Sequence, residues 1–408
     1  MNFLSLDGEW SRAVAAGLAL FIVLGLLAAG FALSAGGSPE EAREAVEEAV
    51  EEEAVGRNDR PATVWAGPLR LPTDNVALFK ENGAPQFYQY VNRHFEGQSS
   101  QPWEAGQYGF VRTPVRTEEM GVVYTRFHEG IDIRATQRDG RGEPRDTVRA
   151  TDDGTVAYIN ESALASNYGK YVVVEHEWKG TPYYSLYAHL SEPYVETGER
   201  VRQGAPLGRM GYTGAGLDKQ RAHMHFELNV LINDHFQQWI DKHFGGNPHG
   251  VYSGLNMRGF DPASYLEALR EDPDLTPAKF LTGLDPYYKV AFPRNGPLDV
   301  LRRYPWMRPS VGSSVGDSTV AASAPSWEMS FTRGGFPLKV EPYSRELSGP
   351  TVTMSAPPEV PDGVSCMHLT YEHLKGATPN CTLAPRGRRY IDLITIQGPG
   401  ESGSRRAW

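Results

Sequence analysis

The stretch Arg221-Ala222-His223-Met224-His225-Phe226-Glu227-Leu228 sets two imidazoles and a carboxylate at alternate positions. Strand side chains alternate between faces, so His223, His225 and Glu227 share one face and Met224, Phe226 and Leu228 the other. That is a platform for a metal, and equally the pattern of a half-buried strand with a polar outer face. In Phe127-His128-Glu129-Gly130-Ile131-Asp132-Ile133 the same period puts His128, Gly130 and Asp132 on one face and the isoleucines on the other. Two imidazoles and one carboxylate from two strands make three ligands of a tetrahedral ion and leave the fourth position to water, as in catalytic zinc sites. His128-Glu129-x-x-Asp132 also permits a helical motif with residues four apart on the metal and the Glu as base. Gly130 and two β-branched isoleucines make a helix costly there. In Tyr187-Ala188-His189-Leu190, strand alternation places His189 on the side of Tyr187. Periodicity brings both His223 and His225 near the metal without deciding which binds it.

By parity Glu227 faces the metal and is expected to support a ligand from behind or to meet solvent, whereas Glu129 points away. His176, in Glu175-His176-Glu177, is expected in a strand or at its rim. His235 and His243 have no partner at metal spacing, and the glycines between 204 and 216 lack the Lys-Ser/Thr of a phosphate loop.

Short apolar or alternating runs such as Thr155-Val156-Ala157-Tyr158-Ile159 and Tyr171-Val172-Val173-Val174, separated by glycine turns, must position these groups. They predict a mainly β domain over residues 106–270, closed by a short helix at Asp261-Pro262-Ala263-Ser264-Tyr265-Leu266. A chain of 408 residues has room for more than this. Residues 13–33 carry no charge and at about 1.5 Å per residue span the roughly 30 Å of a bilayer core. With Arg12 before them and acids after, they predict an anchor over 13–35, a cytoplasmic tail over 1–12, and everything beyond outside the cytoplasm. The alternative is a cleaved signal peptide ending near Ala32-Leu33-Ser34. Ser38-Pro39-Glu40-Glu41 opens an acidic helical spacer over 36–60, followed by a flanking segment over 61–105.

Residues 271–326 read as a connecting segment ending in a Ser/Gly-rich linker, and 327–408 as a small β-rich C-terminal region holding both cysteines, Cys366 and Cys381. In an oxidising compartment the two can pair, closing a loop of about 15 residues. A net charge of -10 with dispersed Lys and Arg excludes a nucleic-acid partner; oligomeric state is not legible.

Taken in order, His128-x-x-x-Asp132, Tyr187-Ala188-His189-Leu190 and His223-x-His225 resemble the lysostaphin/LytM-type zinc metallopeptidases. Thr147-Val148-Arg149-Ala150 with Asp153-Gly154, Tyr168-Gly169, and Val201-x-x-Gly204 leading to Gly208-x-x-Gly211-x-Thr213-Gly214 resemble that family's connecting signatures. The resemblance covers about 106–269. It implies a compact antiparallel β-fold, Zn²⁺ on His128, Asp132 and His225, and His189 and His223 as catalytic, non-ligand histidines. Residues 135–146 and 217–222 are longer than the family's loops, which bears on substrate choice. The resemblance further implies hydrolysis of peptide cross-links in peptidoglycan, with a D-Ala to diaminoacyl bond favoured over glycine bridges, and cell-wall or division proteins as partners. Two other readings are a non-enzymatic activator of a cell-wall amidase and a wall-binding scaffold.

Overall fold

The β-branched and aromatic runs become strands wherever glycines punctuate them, and the computed structural model describes them over residues 68–308, 324–355 and 360–398. The predicted span at 13–33, the acidic helix at 36–60 and most of the Ser/Gly-rich linker lie outside these residues. Among the described residues, no helix is long and apolar enough to cross a membrane.

In chain order the strands are β1 (Arg93–Phe95), β2 (Gln98–Ser100), β3 (Gly109–Thr117), β4 (Gly121–His128), β5 (Ile131–Arg134), β6 (Thr147–Arg149), β7 (Gly154–Asn160), β8 (Lys170–Trp178) and β9 (Thr181–Pro193). After them come β10 (Arg200–Val201), β11 (Pro206–Met210), β12 (His223–Leu231), β13 (Met257–Phe260), β14 (Tyr288–Pro293), β15 (Ser326–Phe331), β16 (Pro337–Tyr343) and β17 (Thr351–Met354). The architecture is mainly β, with antiparallel pairing in the sheets described below. A nine-stranded sheet runs β10-β7-β8-β9-β11-β6, and β12 joins it through β9 while also pairing with β5 and β13. The hairpin β3–β4 stands beside it.

β12 organises the sheet. Met224, Phe226, Leu228 and Val230 turn to the core, each no more than 1% exposed. The opposite face, with His223, His225, Glu227 and Asn229, is buried too, so the strand is covered on both sides rather than half-buried. The segment 127–133 is not one strand. β4 ends at His128, a bend at Glu129 and Gly130 follows, and β5 begins at Ile131. This excludes the helical motif as well. A Cβ on Gly130 would stand 2.3 Å from the Phe226 carbonyl oxygen, so the bend can press against β12 only without a side chain.

The predicted closing helix spans Pro262–Glu271. Asp261 caps it by accepting from the Ala263 and Ser264 N–H groups, and Pro262 sits where no N–H is needed. A second antiparallel sheet, β16-β15-β14-β17, draws β14 from the predicted connecting segment. It shares one hydrophobic cluster with the larger sheet: Phe260 meets Phe336 edge-on at 6.0 Å. Asn233 Nδ2, just past β12, donates to the Leu393 and Ile396 carbonyls at the end of helix Pro385–Thr395.

Cys366 and Cys381 form a disulfide across 15 residues. A Cys366→Ser, Cys381→Ser double variant is expected to lose about 3 kcal/mol of unfolding free energy for a loop of this length, read from urea denaturation. A midpoint equal to the parent's would show that packing alone holds the loop.

Candidate metal centre

Three strands deliver three donors to one point. His128 ends β4, Asp132 lies in β5 and His225 in β12, where the register sets His225 opposite Asp132. His128 Nε2 is 3.1 Å from Asp132 Oδ1, Asp132 Oδ1 is 2.9 Å from His225 Nδ1, and His225 Nδ1 is 3.1 Å from His128 Nε2. Ligands about 2.0–2.1 Å from a tetrahedral zinc stand about 3.3 Å apart, so the triangle is the size that such an ion requires. Among the described residues this is the one cluster of histidine, cysteine and carboxylate groups that could hold a metal.

Each imidazole is anchored through one nitrogen and turns the other inward. A carbonyl can only accept, so His128 Nδ1 donates to Gln107 O at 2.7 Å, His189 Nδ1 to Thr213 O at 2.8 Å, and His223 Nδ1 to Arg221 O at 2.7 Å. His225 is the reverse: its Nε2 donates to Glu227 Oε1 at 2.8 Å and its Nδ1 faces the triangle. Glu227, 1% exposed, also accepts from Tyr168 Oη at 2.7 Å and Asn229 Nδ2 at 2.9 Å. It therefore supports His225 from behind and does not meet solvent.

The structure also brings His189 and His223 to this point, with ring centroids 4.7 Å apart and His189 5.8 Å from His225. His223 Nε2 stands 3.4 Å from Asp132 Oδ1. His189 reaches the site against strand parity. Tyr187 packs on Phe226 on the core face, while His189 adopts φ 61° at a register shift between β8 and β9 and swings to the other side. An L-residue in that conformation is strained. Gly169, also at positive φ, is crowded against Thr213, the residue whose carbonyl holds His189.

One further expectation, for Glu129, changes, and that of a strand position for His176 is met in β8. Glu129 lines the groove and accepts a hydrogen bond from the Tyr371 hydroxyl. His176 is fully buried behind the sheet, stacked on Trp178 and bonded to Ser185 Oγ and the Asp153 carbonyl. His243 pairs with Asp392 at 2.7 Å, away from the donors.

Periodicity misses Arg112. The bulge between Phe110 and Arg112 in β3 re-aims this side chain. One Nη stands 2.5 Å from Asp132 Oδ2 and 3.1 Å from His128 Nε2, and its Nε donates to the Ala105 carbonyl. Asp132 thus divides its oxygens, Oδ2 to Arg112 and Oδ1 to the histidines. Arg112 also lies opposite Arg126 across the hairpin, an unfavourable like-charge pair. That signal becomes visible only once the register is known.

The electrostatics suit a cation. Burial alone would raise the Asp132 carboxyl, but the charges of His128, His223 and Arg112 hold it well below the usual range, so it is ionised at neutral pH. Burial depresses His128, with help from Arg112. His189 is held well below its ordinary value, by burial first and then by His223 and His225. For His225 burial acts downward, yet its hydrogen bonds to Asp132 and Glu227 carry it up to about 9. A cation in the triangle would take the place of the proton that His225 Nδ1 shares with Asp132.

Residues 126–238 match peptidase family M23. Over 105 residues, 26% of this chain and 19% of the other, the protein is 32% identical to an uncharacterized metalloprotease of Haemophilus influenzae. Over 105 residues, 26% of this chain and 21% of the other, it is 36% identical to the peptidoglycan DD-endopeptidase ShyC of Vibrio cholerae. The chain therefore spans about a fifth of the length of these relatives. The catalytic domain of lysostaphin from Staphylococcus simulans aligns at 19% identity and a TM-score of 0.25, covering 44% of this chain and 92% of that one.

Glu227→Gln keeps the shape but removes the charge behind His225. It is expected to weaken zinc binding about 10- to 100-fold, measured by competition with a chromogenic chelator. Unchanged affinity would show that Glu227 does not orient a ligand.

Proposed function

With residues 126–238 forming a peptidase family M23 domain, we propose that the protein is a zinc endopeptidase that hydrolyses peptide cross-links of peptidoglycan outside the cytoplasm. The observation that carries this reading is the donor triangle with edges of 3.1, 2.9 and 3.1 Å, with two more imidazoles beside it. We assign His128 Nε2, Asp132 Oδ1 and His225 Nδ1 as the zinc ligands. When bound, the ion supplies Lewis acidity and lowers the pKa of a coordinated water toward about 7.

The chain's own groups do the remaining work. Asp132 and Glu227 hold His225 between two carboxylates, keeping its ring in place. His189, with Nδ1 committed to Thr213, keeps a bare Nε2 that can accept a proton from the attacking water. Burial and its neighbours keep His189 neutral at physiological pH, the state this role needs. His223 is anchored the same way through Arg221 and can hydrogen-bond the developing oxyanion or protonate the leaving amine. The two roles can also be exchanged. A groove of about 1030 Å³ is lined by these histidines, and we assign it to the peptide substrate.

Export follows from the uncharged run at 13–33, as an anchor or as a signal removed by cleavage. The substrate assignment follows from the named activity of the Vibrio cholerae relative and from the family resemblance, with the D-Ala to diaminoacyl bond as the expected cut.

Zinc content and release of cross-linked muropeptides from sacculi by the purified full chain test this reading. We expect one zinc per chain, activity abolished by chelator and restored by zinc, and none with His225→Ala. His189→Ala should retain zinc while losing about 10²–10⁴-fold in kcat. A zinc-free chain that releases nothing but stimulates an amidase would establish the activator reading instead.

A further inference from the structure

The chain carries a net charge of -10, yet its groove is cationic. Arg93, Arg112, Arg126, Arg221, Arg258 and Arg386 line it against two acids, Glu129 and Asp132. Asp132 is committed to the histidines and Arg112. Arg93 donates to the Tyr124 hydroxyl and the Val111 carbonyl, and Arg221 to the Gly216 carbonyl.

Arg258 makes no such carbonyl contact; its charge is instead stabilised by Tyr390, Tyr371 and Glu129. It lies on the edge strand β13 and is 8% exposed, so more than nine-tenths of it is buried. It forms no ion pair among the described residues, and its Nε is buried without a hydrogen-bond partner. Burying a guanidinium is costly unless a carboxylate or a set of acceptors compensates. Here compensation comes from a ring face, with the guanidinium carbon 4.3 Å from the Tyr390 centroid.

A second guanidinium, this one from the C-terminal region, lines the same groove. Arg386, on helix Pro385–Thr395, stands 3.8 Å over the Tyr371 ring. Its contact with Glu372 is loose, at 3.5 Å to a carboxylate 60% exposed. Tyr371 packs on Phe127, 5.3 Å between centroids, and its hydroxyl donates to Glu129, the residue after the donor His128. Glu129 makes no direct ion pair with either arginine, although its charge acts on Arg258. Two planar cations held by aromatic rings, one of them with a buried Nε that has no acceptor, thus line the same groove as the donor triangle. Bidentate pairing makes a carboxylate the natural complement of such groups.

We propose that Arg258 and Arg386 form a carboxylate subsite, so that the peptide taken by this groove is acidic and carries a free carboxylate beside the bond that is cut. The inference rests on the peptidase reading and adds to it a substrate class and a selectivity shared between β13 and the C-terminal region. A carboxamide in place of the carboxylate would forgo the charge-assisted pairing with both guanidinium groups.

The test uses the zinc-loaded full chain and two synthetic cross-linked peptides that differ only in having their side carboxylates free or amidated. Binding is read by anisotropy on labelled, non-hydrolysable versions, and cleavage on the parent peptides. Charge-assisted hydrogen bonds of this kind predict about 10- to 100-fold tighter binding of the free acid. Arg386→Gln and Arg258→Gln should each bring that ratio toward one. Because Arg258 is buried, a thermal melt accompanies its variant, and the more exposed Arg386 decides the matter if the Arg258 variant unfolds. A ratio near one in the parent, or a ratio kept in Arg386→Gln, overturns the subsite. Equal cleavage of both peptides would overturn the subsite and leave the peptidase standing. Selective binding of the acid without cleavage of either peptide would support the subsite and remove the peptidase reading.

Discussion

The pairing of β12 with β5 on one side and β9 on the other sets His225 opposite both Asp132 and Ala188, and the remaining geometry of the site depends on that register. A slip of one residue would carry His223, His225 and Glu227 into the apolar core and turn Met224, Phe226 and Leu228 onto the site face. The apolar face, buried to 1% or less at each of those three residues, therefore specifies the register that aligns the donors. Core packing and site geometry are two faces of a single strand.

Around that register the site consists of buried polar groups that satisfy one another. Isolated, Asp132 and Glu227 would be expensive to bury; together with four imidazoles and Arg112 they form a connected network. Each ring has one nitrogen committed to a carbonyl or to Glu227. That arrangement chooses the tautomer and aims the other nitrogen before any ligand arrives, the kind of support on which metal affinity depends.

The second sheet is part of the same body. It shares the hydrophobic cluster of the larger sheet, and the segment around the disulfide brings Tyr371 and Arg386 to the groove. The groove thus has walls of different sequence origin: the hairpin β3–β4, the loops that follow β7 and β11, and the C-terminal region. The donor triangle answers to ligand chemistry, whereas the character of the walls answers to what is bound.

Local periodicity was enough to group His223, His225 and Glu227, to set Ile131 and Ile133 on the face opposite Asp132, to locate the capped helix after Asp261, and to anticipate a mainly β chain. These properties depend on alternation and capping over a few residues, and neighbours in sequence carry them. Periodicity failed where one residue left the regular conformation or where partners lay far apart in the chain. His189 crosses to the site face because its backbone turns left-handed at a bulge, and alternation cannot register that. Arg112 and the approach of Tyr371 to Glu129 across 242 positions arise from strand register and sheet packing. Short-range pattern says which face a side chain shares with its neighbours, but which distant face it meets is decided by the free energy of packing the whole chain.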